Sequence, residues 1–437
     1  MHWRAPKPAD WPFCITQRRV ATSRAAGRFG SFSAAIDLLQ RLPDSRERLQ
    51  RALILQLALG PALIITKGWS AHEVLAAYSC ARELCARLGN PPELFHVLFG
   101  LWTHYFLRDE LRKAYGLTEE LLERAQSVHD PALLMFAHCA LGDTSYQMGD
   151  FLLAKAHLEL AISLYDRERH RPLAFRFTGL DMEVQCLSYL AFTLWTMGYA
   201  DQALKRVSEA VGLAQGIPHP YSLVFAKHFT GSVHLYRREA REAQQHAEAV
   251  SALCSEHGFT GFVGHAMITR GAAMAQQGRH AEGITEIQEG LAANRAIEAE
   301  LAVPDFLSRL GEALMEAGRF NEGLNALAQA EAAGDKSGDG QNQAERHRIK
   351  GELLLRQEGL SSAEAESCFQ RALASARKQS AKTFELRATM SLARLLASRG
   401  SRNEARTMLA EIFGWFTEGF DTADLKDAKA LLDELGN

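Results

Sequence analysis

Histidine, serine and lysine are the side chains whose spacing could support catalysis in this sequence. Sixteen histidines are present, but none forms HxxxH, the spacing that places two zinc ligands on one helix face. Ser375 and Lys378 have the SxxK spacing of a serine acyl-enzyme, yet they fall inside a predicted helix, where coincidence explains them better. A GxSxG nucleophile elbow is also absent. The sequence therefore predicts that the chain is not an enzyme.

Glycine-rich and cysteine-rich patterns that could hold a cofactor or metal are incomplete. A GxxxxGK[ST] phosphate-binding loop is missing, and the string Gly334-Asp335-Lys336-Ser337 lacks its second glycine. Gly258, Gly261 and Gly264 do not have the GxGxxG spacing and follow no strand pattern. The seven cysteines contain no CxxC pair, so neither a disulfide framework nor a zinc site is predicted. We expect no cofactor and no metal.

The composition argues against several classes of protein. Among 437 residues, 49 Lys and Arg oppose 52 Asp and Glu, without the basic excess of a nucleic-acid-binding protein. The longest apolar stretch, residues 52–65, is interrupted and too short to span a membrane. The first residues lack the apolar core of a secretory signal. These features predict a cytoplasmic protein with no nucleic-acid or membrane partner, and residues 1–28 are interpreted as an irregular basic tail.

A repeated pattern of small and apolar residues runs through the rest of the chain. It consists of a small anchor, a glycine seven positions later, a small residue five further on, then an apolar and another small residue. Gly142, Gly149, Ala154, Leu158 and Ala161 show it in full. The anchors recur with a period of about 40 residues at Trp102, Gly142, Ala191, Gly231, Gly271, Gly311, Gly351 and Ala393.

This repeat predicts helical hairpins that stack into a solenoid. The small anchor lets two helices approach closely, and the glycine ends the first helix in the left-handed conformation. The small and apolar residues of the second helix share one face, which only a neighbouring hairpin can bury. We therefore predict an all-α repeat array over residues 29–420 and a capping helix over residues 421–437. Two segments interrupt the period: residues 166–181, expected to be irregular, and residues 334–343, expected to form a mobile loop.

The repeat resembles the tetratricopeptide repeat, with helices longer than usual. Longer strings, above all GWFTEGFDTADLKDAKALLDEL (residues 414–435), are similar to the C-terminal repeat arm of large bacterial signalling ATPases. In that family the arm follows a P-loop ATPase module and often a class III nucleotide cyclase or another effector domain. The resemblance implies a right-handed superhelical solenoid and a regulatory role. The ATPase and cyclase motifs are missing here, which suggests a stand-alone arm, a truncated gene or a fragment.

Tetratricopeptide solenoids bind partners along the first helices of their hairpins, and the resemblance places a candidate groove there. Its aromatic part would suit apolar anchors of a peptide or helix, although the rings could instead pack between helices. Two functions remain open: a protein-interaction scaffold, with a separately encoded ATPase or cyclase as one candidate partner, or a small-molecule sensor arm that regulates such an ATPase, cyclase or transcription factor. The candidate groove residues are Phe99, Phe106, Tyr146, Ser188, Phe192, Trp195, His228, Arg348 and Arg394.

Overall fold

Helices form the regular secondary structure of this protein. The computed structural model describes residues 41–67, 70–177, 179–218, 220–357 and 362–436, together with residues 35, 38 and 39. Within these residues there is no strand. The predicted fold class, an all-α solenoid of tetratricopeptide-like hairpins, is confirmed. The predicted basic tail, residues 1–28, lies outside the described residues.

The helices pair into antiparallel hairpins that stack in chain order, because the apolar face of each hairpin needs a neighbour to cover it. α7 stands outside this pairing, and α20 follows the last hairpin. The helices are α1 (Arg46–Lys67), α2 (His72–Leu88), α3 (Leu94–Leu107), α4 (Leu111–Val128), α5 (Pro131–Met148), α6 (Phe151–Leu164), α7 (Arg167–Phe177), α8 (Met182–Thr196), α9 (Ala200–Gln215), α10 (Pro220–Tyr236), α11 (Ala240–His257), α12 (Val263–Gln276), α13 (His280–Ala296), α14 (Val303–Glu316), α15 (Phe320–Ser337), α16 (Gln343–Arg356), α17 (Ser362–Lys378), α18 (Lys382–Ser398), α19 (Arg402–Phe413) and α20 (Ala423–Gly436).

The two glycine positions of the repeat act as the sequence predicts. Gly149 ends α5 with a φ of 81°, in the left-handed region that glycine adopts freely. Gly271 brings α12 against α13 so closely that a Cβ atom there would lie 2.6 Å from the carbonyl oxygen of Gly283. A larger residue at Gly271 would push the two helices of that hairpin apart.

Residues 166–181 were predicted to be irregular. The structure corrects this prediction, because α7 occupies most of the segment. Asp166 starts this helix by accepting a hydrogen bond from the backbone N–H of Glu168 at 3.0 Å. Arg171 then pairs with the buried carboxylate of Asp181 at 2.8 Å. A cap and an ion pair thus help to hold this helix in place, and a search for apolar stripes detects neither of these contacts.

The segment 334–343 is not a mobile loop either. α15 continues to Ser337, and Asp339, Gln341 and Asn342 after it are buried. The backbone N–H groups of Gly340 and Gln341 donate to the carbonyl oxygen of Gln147 at 2.9 and 3.1 Å. Polar composition predicted mobility, but these contacts with the end of α5 order the segment.

The solenoid coils tightly enough for successive turns to touch. The Thr383 hydroxyl of α18 donates to the carbonyl oxygen of Trp195 in α8 at 2.6 Å, across 188 positions of sequence. Earlier in the chain, the backbone N–H groups of Glu300 and Leu301 donate to the carbonyl oxygen of Leu107 at 3.3 and 3.2 Å. Each contact joins hairpins that lie far apart in the chain. This seam between turns decides which inner faces remain open.

Candidate binding surfaces

The predicted groove residues fall into two groups in the structure. The aromatic members are buried, with Phe192 and Trp195 exposing 7% and 2% of their surfaces. Ser188 is also buried, and its hydroxyl donates to the backbone carbonyl of Val184 at 2.7 Å. Arg394, by contrast, is exposed. The inner surface therefore consists of a filled part and an open part. The remaining buried members of the predicted set are Phe99, Phe106 and Tyr146.

The filled part, here called the aromatic wall, is the inner face of α3, α5, α8 and α10. Its rings contact one another from helix to helix: Tyr146 lies 5.8 Å from Phe192 between ring centroids, and Phe192 lies 4.4 Å from Phe229. Trp195 stacks on Tyr236 at 4.6 Å. Aromatic pairs at such distances favour association beyond their buried area. The rings thus pack between helices, the alternative to an open groove that the sequence analysis considered.

The next turn of the solenoid covers the aromatic wall. Phe384 of α18 meets Trp195 edge to face at 5.5 Å, and the guanidinium of Arg387 lies 5.2 Å from the same indole ring. Arg309 of α14 lies 4.9 Å from the Tyr236 ring and donates to its hydroxyl at 3.0 Å. An open groove over Phe192 and Trp195 is therefore not present, because these later helices fill the space.

A buried ion network joins the aromatic wall to the later hairpins. Arg387 donates to Asp424 at 2.8 Å, to Glu345 at 3.2 Å and to the carbonyl oxygen of Tyr236 at 2.7 Å. Arg348, a predicted groove residue, pairs with Glu345 at 2.7 Å. Burial alone would raise the pKa of Glu345, but Arg348 and Arg387 outweigh it and lower that pKa to about 2. The carboxylate therefore stays ionised over the physiological range.

His228 lies beyond the aromatic wall, half-buried at the inner side of α10. Its ring centroid is 5.2 Å from that of His265 in α12, which in turn lies 5.0 Å from Phe306 in α14. Burial, together with the nearby His265 and Arg309, holds the pKa of His228 well below its ordinary value. The imidazole is neutral at physiological pH, and its contact with His265 extends the series of ring contacts from α10 to α12 and α14.

The open part, here called the charged wall, is the inner face of α14, α16 and α18. Glu312 exposes 43% of its side chain and lies 3.5 Å from Arg348. Ser391 donates to Glu352 at 2.6 Å, which sets α16 beside α18. One helical turn further along the two helices come Leu355, 38% exposed, and Arg394. Acidic, basic and apolar side chains thus share one solvent-facing surface.

A cavity of about 530 Å³ lies on the seam between turns. The turn between α3 and α4 forms one side, and the start of α14 with the end of α15 forms the other. Asp109 lies in its wall, 5% exposed, with Oδ1 accepting no hydrogen bond. Burial raises the pKa of the Asp109 carboxyl well above its ordinary value, and the nearby Asp339 and Glu300 raise it further.

No family model matches the chain. An uncharacterized protein of Rhizobium meliloti (strain 1021) is 22% identical over 324 residues, which cover 74% of this chain and 31% of that protein. The chain thus spans about a third of the length of this curated relative.

Solved structures share the helical repeat. A Rap protein complexed with competence and sporulation factor has a TM-score of 0.51 at 12% identity, over 79% of this chain and 98% of that chain. A signal transduction ATPase with numerous domains, with a tetratricopeptide repeat sensor, from Pyrococcus horikoshii has a TM-score of 0.39 at 14% identity, over 91% of this chain and 66% of that chain. The likeness to the Rap protein shows the fold, a tetratricopeptide-like solenoid.

Other kinds of site receive no support from the described part of the chain. It contains no group of three or more His, Cys, Asp and Glu side chains placed to hold a metal ion. Its six cysteines form no disulfide. Within the same residues, no helix combines the length and the apolar character needed to cross a membrane.

Sequence reasoning did not select two residues at the seam, Asp109 and Arg238, although both occupy the glycine position of the repeat. Seven positions after the anchors Trp102 and Gly231, where other repeats carry glycine, stand Asp109 and Arg238. Both have positive φ values, 56° and 63°. Asp109 lines the cavity, and Arg238 pairs with Asp427 of α20 at 2.6 Å. A side chain in place of the expected glycine was the available signal.

Proposed function

We propose that this chain is a non-enzymatic protein-interaction scaffold that holds a segment of a polypeptide partner on the charged wall. The observation that carries the proposal is the contrast on the inner surface, where the aromatic wall is covered by the chain itself and the charged wall faces solvent. Helical solenoids offer such extended concave surfaces to partners. The likeness of the fold to a Rap protein that was crystallised with competence and sporulation factor supports the same use.

The side chains of the charged wall define what the partner segment must carry. Leu355 offers an exposed apolar contact, and the neighbouring Arg394 offers a guanidinium that can bind a carboxylate in two parallel hydrogen bonds. Glu316 and Arg356, 2.8 Å apart and both solvent-facing, add a charge of each sign one turn along. A segment with an apolar anchor beside an acidic side chain fits this arrangement.

A regulatory role in bacterial signal transduction is part of the proposal. It rests on the resemblance of the C-terminal string, residues 414–435, to the repeat arms of signalling ATPases. A partner of that class, a signalling ATPase or cyclase encoded separately, would place this chain in the position that the arm has in those proteins.

Affinity capture with matched variants tests the proposal. The tagged chain would be used to capture proteins from a lysate of its own cells, followed by mass spectrometry. We expect the double variant Leu355→Ala/Arg394→Glu to lose a specific partner. The control Leu160→Ala/Arg241→Glu changes the same residue types on exposed positions of second helices and should retain it. A partner that binds both variants equally would show that the charged wall is not the binding surface.

A further inference from the structure

The seam cavity combines residues that are distant in sequence. Arg108, Arg112 and Lys113 come from the turn between α3 and α4 and the start of α4, whereas Lys336 comes from the end of α15. Its volume, about 530 Å³, falls within the range of small-molecule sites, about 300 to 1,000 Å³. Because both sides belong to different turns of the solenoid, a molecule bound here would touch both turns.

Positive charge predominates around this cavity. Four cationic side chains line it, while Glu110 and Glu300 are the acidic ones besides Asp109. Lys113 pairs with Glu110 at 2.5 Å and Arg108 pairs with Glu298 at 2.7 Å, which leaves Arg112 and Lys336. Arg112 donates to the backbone carbonyls of Asp335 and Lys336, at 3.3 and 3.4 Å, and those bonds leave its positive charge without a carboxylate. The cavity therefore contains positive charge that its ion pairs do not neutralise.

Helix ends reinforce this polarity. α4 and α14 both begin at the cavity, and a helix N-terminus favours negative charge. The first turn of α4 contains no acidic residue and carries Arg112 and Lys113 instead. The carbonyl end of α15, which would repel an anion, is covered by the Arg112 guanidinium.

Asp109 supplies an observation independent of the cations and helix ends. Its carboxyl group is buried in the cavity wall, and one oxygen lacks a hydrogen-bond partner. Unpaired buried oxygens are costly, and natural proteins keep them mainly where a ligand or water completes the bonding. The raised pKa favours the neutral acid, which removes an opposing charge from the cavity wall.

We propose that the seam cavity binds a small organic oxyanion, a molecule bearing a phosphoryl or carboxylate group, between Arg112, Lys336 and Asp109. The ligand joins the two turns of the solenoid that meet there. The site lies apart from the charged wall, so this proposal does not depend on the polypeptide partner.

Inorganic phosphate and citrate serve as the two probes. The melting temperature of the full chain would be measured against each probe, with sodium chloride at matched ionic strength as reference. We expect a rise beyond the sodium chloride reference with at least one probe, since a ligand that binds only the folded state stabilises it by an amount that grows with the logarithm of its concentration above its Kd. A response to phosphate alone or to citrate alone identifies the oxyanion. Hydrogen exchange should also slow at Glu300 and Leu301, whose N–H groups bridge the seam.

Paired variants locate the binding. We expect Arg112→Gln/Lys336→Gln to weaken the apparent affinity at least tenfold, while Arg241→Gln/Lys429→Gln, exposed cations elsewhere on the surface, should leave it unchanged. Lys336→Gln alone provides the same test with one exposed side chain if the double variant loses stability. The absence of a rise beyond the sodium chloride reference with both probes, or an equal loss of affinity in the control pair, would overturn the proposal.

Discussion

The aromatic wall and the charged wall arise from the same repeat pattern, and both lie on the first helices of their hairpins. On the aromatic wall, Trp195 is covered by Phe384 and Arg387 from the following turn. On the charged wall, Leu355 and Arg394 remain exposed. The repeat thus places side chains on the inner surface in both regions, whereas the coiling of the solenoid determines which of them water or a partner can reach.

Because one wall is buried and the other is exposed, substitutions in the two walls test different properties of the protein. Replacing Phe192 or Trp195 removes ring packing between helices, so a loss of partner binding in such a variant would report unfolding as readily as lost contact. Arg394 has no such ambiguity because it is exposed. The following tests rank the two walls by their contribution to stability.

The largest effect is expected from Trp195→Ala on the aromatic wall. It removes the stacking on Tyr236 and the edge contact with Phe384, and large-to-small changes at buried aromatics cost about 3–5 kcal/mol. Denaturation in urea would measure the free energy of unfolding. Trp195→Phe, which keeps a ring at the site, should cost clearly less. A loss below about 1 kcal/mol would mean that the turns do not pack together in solution.

Glu345→Ala should come next, because it leaves Arg348 and Arg387 buried without their shared carboxylate. Removing one member of a buried ion pair costs about 3 kcal/mol or more. Glu316→Ala, which removes a solvent-facing partner of Arg356, is the control and should change stability by at most about 1 kcal/mol. Equal effects of the two changes in urea denaturation would contradict a buried network between the walls.

Asp109→Asn tests the seam through its pH dependence. The folded chain holds the Asp109 proton to higher pH than the unfolded chain, since its pKa is raised by burial, Asp339 and Glu300, against the opposing effects of Ser337 and Arg346. Wild-type stability therefore falls as pH rises above the unfolded pKa, by at most about 1.4 kcal/mol per pH unit from this group. Asparagine also tolerates the left-handed backbone conformation of this position.

We expect the variant to gain stability over the wild type as pH increases from 5 to 8, which thermal melts at each pH would show. Asp335→Asn, an exposed neighbour of the cavity, should follow the wild-type curve. A gain that is independent of pH, or a loss, would show that the Asp109 carboxyl is ionised in the folded chain.

The smallest effect on stability is expected from Arg394→Ala on the charged wall. Exposed positions away from special contacts usually change the free energy of unfolding by about 0.5 kcal/mol or less. The same urea experiment measures it. A cost comparable to that of Trp195→Ala would mean that the charged wall is covered in solution, and the contrast between the two walls would disappear.

Much of the fold could be predicted because the repeat acts over short sequence distances. Gly149 and Gly271 revealed helix ends and close helix approaches in the sequence, since such effects depend on residues a few positions apart. The prediction of a mobile loop was wrong for the opposite reason. Residues 334–343 look mobile by composition, yet the carbonyl oxygen of Gln147 orders them from almost 200 positions away.

The candidate site was likewise predictable only as far as local sequence patterns reach. Placing Phe192, Trp195 and Arg394 at inner-wall positions required the repeat frame alone, and the position of Arg394 on an exposed inner face agrees with it. The burial of the two rings depends on α14 and α18, which no local pattern relates to α8. The binding role of the inner surface stays a prediction, which we now assign to the charged wall instead of the two buried rings.

By itself, the sequence determined the helical hairpins, their period and the side chains that each hairpin presents, because backbone propensity and side-chain periodicity are local properties. Only the tertiary structure decided that the turns meet, that the aromatic wall closes and that a cationic cavity forms around Asp109. The pitch of a superhelix is the sum of small rotations between many hairpins. Small differences at each interface therefore accumulate into contacts, such as Thr383 on Trp195, that no single repeat encodes.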